Sequence, residues 1–180
     1  FSPYQLNPLG LNALEDVARR HVSEQAMREG PIKLFITATI VTTGQPEVFM
    51  GERLGIQALM ASACLPQLFK AVEIDGVPYW DGGYSGNPAI WPLIYNTTAE
   101  DVLLVKINPL VRPDLPDTAD EIADRVNELT FNAGLVSELR AVHFVQKLLK
   151  ERRLDKRRYK GLRLHMVADE AGLAPLNASS

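Results

Sequence analysis

The sequence predicts an α/β fold whose central sheet is mostly parallel. Short runs rich in β-branched and aromatic residues alternate along the chain with segments of helical periodicity. The 180 residues are 46% hydrophobic and 23% charged, which is enough for a buried core in one ordinary domain. We therefore expect residues 1–180 to form part of a single globular unit.

The first third of the chain predicts a loop and then two helices. Residues 1–10 contain two prolines and a glycine and are predicted to be a loop. Asn12 is a suitable N-cap for a helix over residues 13–22. Ser23 is a suitable N-cap for a second, short helix that ends before Gly30 and Pro31.

The next segments predict strands, a short helix and a hairpin. Residues 33–41 and 46–50 have the composition of strands, and residues 56–63 have small apolar side chains at helical spacing. Two strand-like runs, residues 71–74 and 77–80, flank the dipeptide Asp75-Gly76. An Asp-Gly pair in this setting predicts a tight β-hairpin.

The last part of the chain predicts a strand, a long helix and a final strand. Residues 102–108 are almost free of polar interruption, which favours a central strand covered on both faces. Thr118 and Glu121 form a capping box that opens a helix to about Arg153. Residues 162–167 then predict the last strand.

Composition argues against several classes of function. A net charge of −3 gives no reason to expect nucleic acid as a partner. The three histidines, at positions 21, 143 and 165, are scattered, and Cys64 is the single cysteine, so we expect no metal site and no disulfide within the chain. Neither a Walker loop nor a G-x-G-x-x-G follows a strand, and we expect no cofactor. A buried, inert thiol is the favoured interpretation of Cys64.

Location and completeness follow from weaker observations. The sequence has no apolar run long enough to span a bilayer and no recognisable signal peptide. These features and the single cysteine favour a cytoplasmic protein. The chain starts at Phe1 without an initiator Met, so we expect it to be part of a longer protein.

Asp81 is the first candidate for chemistry. It ends a predicted strand and is followed by Gly82 and Gly83, which leave its carboxylate unshielded and allow positive φ. A strand end also places a carboxylate accurately. Locally, however, an Asx-type turn capped by Asp81 explains the tripeptide at least as well. The nearby Asp75-Gly76 needs only turn chemistry.

The wider sequence around Asp81 resembles the patatin-like phospholipase family. The resemblance is carried by residues 33–39 (KLFITAT), 61–66 (ASACLP) and 79–88 (YWDGGYSGNP). Residues 2–8 and 118–149 also look like bacterial members. An Asp-Gly-Gly after a hairpin, with A-S-x-x-x-P fifteen residues upstream, is more specific than the tripeptide alone.

The resemblance implies a fold and a mechanism. The fold is a three-layer α/β sandwich, of which this chain is the C-terminal portion and incomplete at its N-terminus. The activity is lipid acyl hydrolysis by a Ser-Asp dyad, with Asp81 as the base and Gly82 and Gly83 positioning it. The family's G-x-S-x-G serine and oxyanion loop are absent from the sequence. We expect both upstream of residue 1, and the 180 residues alone to be inactive. The alternative is a non-catalytic α/β interaction or scaffold domain.

Three further residues near Asp81 are candidates for a role at the site: Ser85, Ser62 and Pro66. Gly83-Tyr84-Ser85-Gly86 differs from a nucleophile elbow because its second glycine follows the serine directly, so Ser85 is disfavoured as a nucleophile. Ser62 and Pro66 could line the cleft. For Ser62 the favoured interpretation is a helix-end hydroxyl bonded back to a carbonyl.

Residues 147–163 form a basic stretch that is a candidate binding surface. It contains two acidic residues, Glu151 and Asp155. Its nine basic residues are Lys147, Lys150, Arg152, Arg153, Lys156, Arg157, Arg158, Lys160 and Arg163. A solvated helix C-terminus explains such a cluster by default. Contact with an anionic membrane surface is the functional alternative, and it would suit an enzyme whose substrate is a lipid or acyl ester.

Overall fold

A computed structural model describes residues 2–7, 9–107 and 111–168 of the protein. The chain divides into two compact units, unit 1 over residues 1–89 and unit 2 over residues 90–180. Each is described by itself.

Unit 1 begins with three short helices, α1 (Pro3–Leu6), α2 (Ala13–His21) and α3 (Glu24–Glu29). A further helix, α4 (Ile56–Ser62), follows the first two strands. The predicted caps are confirmed, since Asn12 Oδ1 accepts the N–H of Leu14 at 3.0 Å and Ser23 Oγ accepts that of Ala26 at 3.2 Å. The predicted opening loop is wrong at α1, where a proline at the first turn suits a helix start.

Unit 1 contains a four-stranded sheet that is antiparallel throughout. Its strands are β1 (Ile36–Ile40), β2 (Pro46–Phe49), β3 (Val72–Ile74) and β4 (Val77–Asp81), in the spatial order β2-β1-β4-β3. The predicted hairpin at Asp75-Gly76 is confirmed, because both residues have positive φ, at 52° and 77°, and β3 pairs with β4 around them. Single-turn 3₁₀ helices follow β2 (Gly51–Arg53) and β4 (Gly82–Tyr84).

The core of unit 1 lies between the sheet and α4. Ala38, Phe49 and Tyr79 from the strands pack with Ala58 and Ala61 of α4. Phe49 and Tyr79 meet edge to face, with ring centroids 5.3 Å apart. The small side chains of α4 allow that helix to lie close to the sheet and bring its C-terminal end towards β4.

Unit 2 contains two helices and two parallel strands. These are α5 (Trp91–Asn96), β5 (Asp101–Lys106), α6 (Ala119–Lys150) and β6 (Arg163–Ala168). β5 and β6 pair in parallel from Asp101↔Arg163 to Lys106↔Ala168. The predicted capping box of α6 is confirmed: Glu121 N donates to Thr118 Oγ1 at 3.3 Å, and Thr118 N donates to Glu121 Oε2 at 3.2 Å.

Strand β5 is covered on one face within the described residues. Val102 is buried in a cluster with Val142 and Leu162. Leu104 is buried in a second cluster with Ile90 and Leu135. Leu103 and Val105 are 63% and 67% exposed. The prediction that this strand is covered on both faces is therefore wrong for the described residues. A continuous apolar run does not reveal which face has a neighbour.

The α/β class is confirmed, because helices and strands both contribute to each unit. The mostly parallel sheet is not confirmed, since four of the six described strands form an antiparallel sheet and two form a parallel one. Within the described residues, no helix combines the length and hydropathy that crossing a membrane requires.

Candidate functional site

Asp81 is the last residue of β4, and its backbone is fixed from two sides. In the sheet it pairs with Ala38 of β1. Its N–H donates to the carbonyl of Cys64, just after α4, at 2.9 Å. Its own carbonyl accepts the hydroxyl of Thr39 at 2.7 Å. The carboxylate is thus attached to a backbone segment that has little freedom to move.

The two carboxylate oxygens of Asp81 have different surroundings. Oδ1 accepts the N–H of Gly83 at 2.7 Å and caps the 3₁₀ turn Gly82–Tyr84. Oδ2 makes no hydrogen bond within the described residues. Burial raises the pKa of Asp81 above the ordinary value of a carboxyl, and the Gly83 N–H opposes this in part. The Asp81 carboxylate therefore has one oxygen held by Gly83, one oxygen without a hydrogen bond within the described residues, and a raised pKa.

Gly82 is required by close approach of the backbone. A Cβ at this position would lie 2.1 Å from the carbonyl oxygen of Thr37 in β1. Gly82 does not adopt the positive φ that a glycine allows, because the described glycines with positive φ are Gly10, Gly44, Gly51 and Gly76. Its missing side chain allows the turn after Asp81 to lie against β1.

Ser85 belongs to a hydrogen-bonded chain that leads away from the Asp81 carboxylate. Ser85 Oγ lies 2.7 Å from Thr39 Oγ1. The single hydroxyl proton of Thr39 is donated to the Asp81 carbonyl, so Ser85 is the donor to Thr39. Ser85 therefore does not form a nucleophile–base pair with Asp81 in this arrangement. Thr39 is 4% exposed, and no local sequence pattern indicates its role at this site.

Ser62 and Pro66 lie at and just beyond the C-terminal end of α4. Ser62 Oγ donates to the carbonyl of Leu59 at 2.9 Å, which is the favoured interpretation from the sequence. Pro66 follows Cys64 by two residues, and Cys64 in turn bonds the Asp81 N–H. The segment containing both residues thus flanks Asp81. Their lining of a substrate cleft stays a prediction.

Cys64 is 2% exposed and its thiol donates to the carbonyl of Lys70 at 3.1 Å. Burial raises the pKa of this thiol, and the nearby charge of Asp81 raises it further. A buried thiol with a raised pKa is a poor nucleophile, as the sequence predicted. The role of Cys64 at this site is to present its backbone carbonyl to Asp81.

The basic stretch in unit 2 is partly engaged in structural contacts. Arg163 pairs with Asp101 at 2.6 Å and with Glu100 at 3.2 Å. Lys160 Nζ donates to the carbonyls of Leu93 and Ile94, at 3.4 and 3.0 Å, and to that of Thr97. It thereby caps the C-terminal end of α5, where a cation is favoured. These two cations have local roles and are poor candidates for a membrane contact.

Four other cations of this stretch are exposed and unengaged. Lys150, Arg152, Lys156 and Arg158 have no side-chain partner within the described residues. Arg152 also has positive φ, at 57°, where the chain turns after α6. The part of the stretch that could meet an external anion is therefore the helix end and the segment from Arg152 to Arg158.

Comparison with known proteins supports the resemblance over about half of the chain. Residues 8–94 match the family model described as patatin-like phospholipase. The match contains β1, α4, the β3–β4 hairpin and Asp81-Gly82-Gly83. Of the two further segments for which the sequence suggested a resemblance, residues 118–149 lie outside the match, and residues 2–8 lie outside it except for Pro8. No curated protein matches the chain.

Proposed function

We propose, on the premise that residues 8–94 are patatin-like, that this chain is part of a lipid acyl hydrolase in which Asp81 is the catalytic base. The observation that carries this proposal is the half-buried Asp81 carboxylate at the end of β4. Its backbone is held by Cys64 and Thr39, its pKa is raised, and its Oδ2 is unengaged within the described residues.

The chemistry requires a serine that the 180 residues do not offer on a G-x-S-x-G elbow. In the proposed dyad, this serine and the oxyanion donors come from sequence upstream of residue 1. Asp81 Oδ2 accepts the hydroxyl proton while the serine oxygen attacks the ester carbonyl. The proton then passes to the departing alcohol. Water, deprotonated by the same carboxylate, attacks the acyl group and releases it as a carboxylic acid, and the proton returns from Asp81 to the departing serine oxygen. A raised pKa favours the base in this cycle, because it strengthens the proton acceptor.

The remaining parts of the proposal concern the surroundings of the dyad. Ser62 and Pro66, which flank Asp81, would line the cleft on the α4 side. The chain would be the C-terminal portion of one three-layer domain with a mostly parallel sheet, and the protein would be cytoplasmic. No metal or other cofactor has a role in this scheme.

A second candidate function is favoured by one observation, the hydrogen bond from Gly83 N–H to Asp81 Oδ1. That bond is what a purely structural Asx-type turn requires. In this alternative the chain is a non-catalytic α/β interaction or scaffold domain, and Asp81 only stabilises the turn after β4.

Replacing Asp81 by Asn in the whole protein separates the two functions. The amide oxygen of Asn can still accept the Gly83 N–H, whereas the base is lost. We expect hydrolysis of a p-nitrophenyl ester and of a phospholipid to fall by about 10²–10⁴, the usual contribution of general-base catalysis, with folding retained.

Asp75→Asn is the matched control. It makes the same chemical change at the exposed Asp-Gly turn of the β3–β4 hairpin, where Asn tolerates positive φ well. We expect this variant to hydrolyse both esters at the parental rate. If Asp81→Asn does so too, Asp81 is not the base, and the structural alternative gains support.

We also propose that the end of α6 contacts an anionic membrane surface. Lys150, Arg152 and Lys156 would supply the contact, and each cation near such a surface contributes roughly 1 kcal/mol. The triple Gln variant should lose most binding to phosphatidylglycerol vesicles at low salt, while Arg20→Gln, an exposed change on α2, should retain it. Equal binding by both variants, or binding insensitive to salt, would contradict the contact.

A further inference from the structure

Unit 2 contains a pocket of about 630 Å³ that the proposed hydrolysis does not use. Its walls come from α5, α6 and the segment 158–162, all within unit 2. Pockets of roughly 300–1,000 Å³ are the usual size for small organic ligands. The volume is therefore sufficient for a ligand, and its lining indicates the chemistry of that ligand.

One wall is a continuous face of α6. Its residues are spaced so that they share one side of the helix: Glu138, Ala141, Val142 and Val145. Val142 is buried and belongs to a core cluster with Val102 and Leu162, and Leu162 also lines the pocket. Around Val142, this wall is apolar and packs against the core of unit 2.

The opposite wall is a face of α5. Trp91, Ile94 and Tyr95 share one side of this short helix, and the two aromatic rings lie 6.3 Å apart. Trp91 is 38% exposed and Tyr95 is 79% exposed. Exposed aromatic side chains with a polar edge, next to an apolar floor, are typical of a binding surface with one apolar and one wet end.

Three charged side chains line the pocket, and two of them are already hydrogen-bonded to backbone groups. Glu138 Oε2 accepts the N–H groups of Ile90 and Trp91, at 2.6 and 3.1 Å, at the start of α5. Lys160 donates to three carbonyls at the other end of α5. The exposed Arg158 guanidinium makes no hydrogen bond or ion pair within the described residues. It is the lining charge that a ligand could satisfy.

We propose that this pocket binds a single-chain amphiphile with an anionic head, of the chemical class of a fatty acid. The chain lies between the α5 and α6 faces, and the head pairs with Arg158 beside Tyr95. Arg suits a carboxylate because its planar fork can donate two parallel hydrogen bonds. The proposal rests on unit 2 alone, so it holds whether or not Asp81 is catalytic.

Calorimetric titration of the whole protein with dodecanoate, below the concentration at which it forms micelles, tests this binding. We expect saturable binding to one site. Shortening the chain by two methylenes should weaken binding about tenfold, because each buried methylene contributes to transfer from water. Dodecyltrimethylammonium, with the same chain and the opposite charge, should bind at least tenfold more weakly.

Two variants at exposed positions test the geometry without disturbing the core. Arg158→Gln should weaken dodecanoate binding about tenfold, and Ala141→Trp should abolish it by filling the pocket. Arg153→Gln is the matched control, because Arg153 lies in the same basic stretch but outside the pocket and pairs with Glu151 at 3.8 Å. That control should bind like the parent.

Several outcomes would overturn the proposal. Equal losses in Arg158→Gln and Arg153→Gln would indicate general electrostatic attraction. Binding to phosphatidylglycerol vesicles without binding to monomeric dodecanoate would assign the anion to a membrane surface. Unchanged affinity in Ala141→Trp would remove the ligand from this pocket. Because these measurements record binding, loss of hydrolysis in Asp81→Asn leaves them unaffected.

Discussion

Gly82 offers the sharpest test of how the candidate site is built. In Gly82→Ala, the new Cβ would lie 2.1 Å from the Thr37 carbonyl oxygen and 2.7 Å from its carbonyl carbon. The first distance is 0.9 Å inside the 3.0 Å below which real Cβ contacts essentially do not occur. The neighbour is the backbone of β1, a strand paired on both sides, so it cannot retreat cheaply.

The expected loss of unfolding free energy follows from that overlap. Overpacking a filled site commonly costs about 1–3 kcal/mol, and a clash with a paired strand should reach the top of that range. For a chain of this size, about 3 kcal/mol corresponds to a decrease in Tm of roughly 6–12 °C. The change also displaces the turn that Asp81 caps, so hydrolysis by the whole protein should fall with stability.

The assay is urea unfolding followed by tryptophan fluorescence in a Trp91→Phe background. Trp80, the remaining tryptophan of the 180 residues, lies in β4 next to Asp81 and therefore reports on unit 1. Gly86→Ala is the matched control, because its new Cβ would lie 3.3 Å from the Cβ of Ala89, a far smaller overlap than at Gly82, and should cost less than about 1 kcal/mol. If Gly82→Ala is no less stable than Gly86→Ala, the close approach of this turn to β1 is incorrect.

Two other predictions concern the same site. Folding raises the pKa of Asp81, so the protonated carboxyl favours the folded state. The stability that this carboxyl contributes is present below about pH 4 and is lost as pH rises through the raised pKa. Asp81→Asn should therefore gain Tm relative to the parent at pH 7, and this gain should shrink near pH 3.5. Thr39→Val should lose about 1–3 kcal/mol of unfolding free energy, because Ser85 Oγ and the Asp81 carbonyl lose their hydrogen-bond partner. Thr39→Ser keeps the hydroxyl and should retain most of the stability.

Each of these has a clear contradicting result. A Tm difference between Asp81→Asn and the parent that grows towards acid would mean that the folded pKa is depressed. Equal stability of the Val and Ser variants at position 39 would mean that the hydroxyl chain from Ser85 to the Asp81 carbonyl contributes nothing.

Features that depend on neighbouring residues were predictable from the sequence. The N-caps at Asn12 and Ser23, the capping box at Thr118 and the Asp75-Gly76 hairpin all depend on residues within three or four positions of each other. Their chemistry is local, so the residue types are sufficient. For the same reason, the back-bonded hydroxyl of Ser62 could be anticipated.

Features that depend on distant residues were not predictable. The run 36–40 reads as a buried strand, but whether its neighbours are parallel depends on segments far along the chain. Thr39 was missed because its partners, Asp81 and Ser85, are 42 and 46 residues away. The exposure of Leu103 and Val105 escaped prediction because hydrophobicity alone does not specify what covers a strand.

The structural and catalytic interpretations of Asp81 are compatible, because they use different atoms. The turn uses Oδ1 and the two backbone groups, whereas proton transfer would use Oδ2. The hydrogen bond from Gly83 lowers the pKa of the Asp81 carboxyl, because it stabilises the charged form, while burial raises that pKa. In return, the cap restricts the carboxylate to one orientation, which a base requires in order to meet a hydroxyl at hydrogen-bonding distance. A structural role is thus what makes a catalytic role geometrically feasible, and Asp81→Asn, which can retain the cap and lose the charge, is the substitution that separates them.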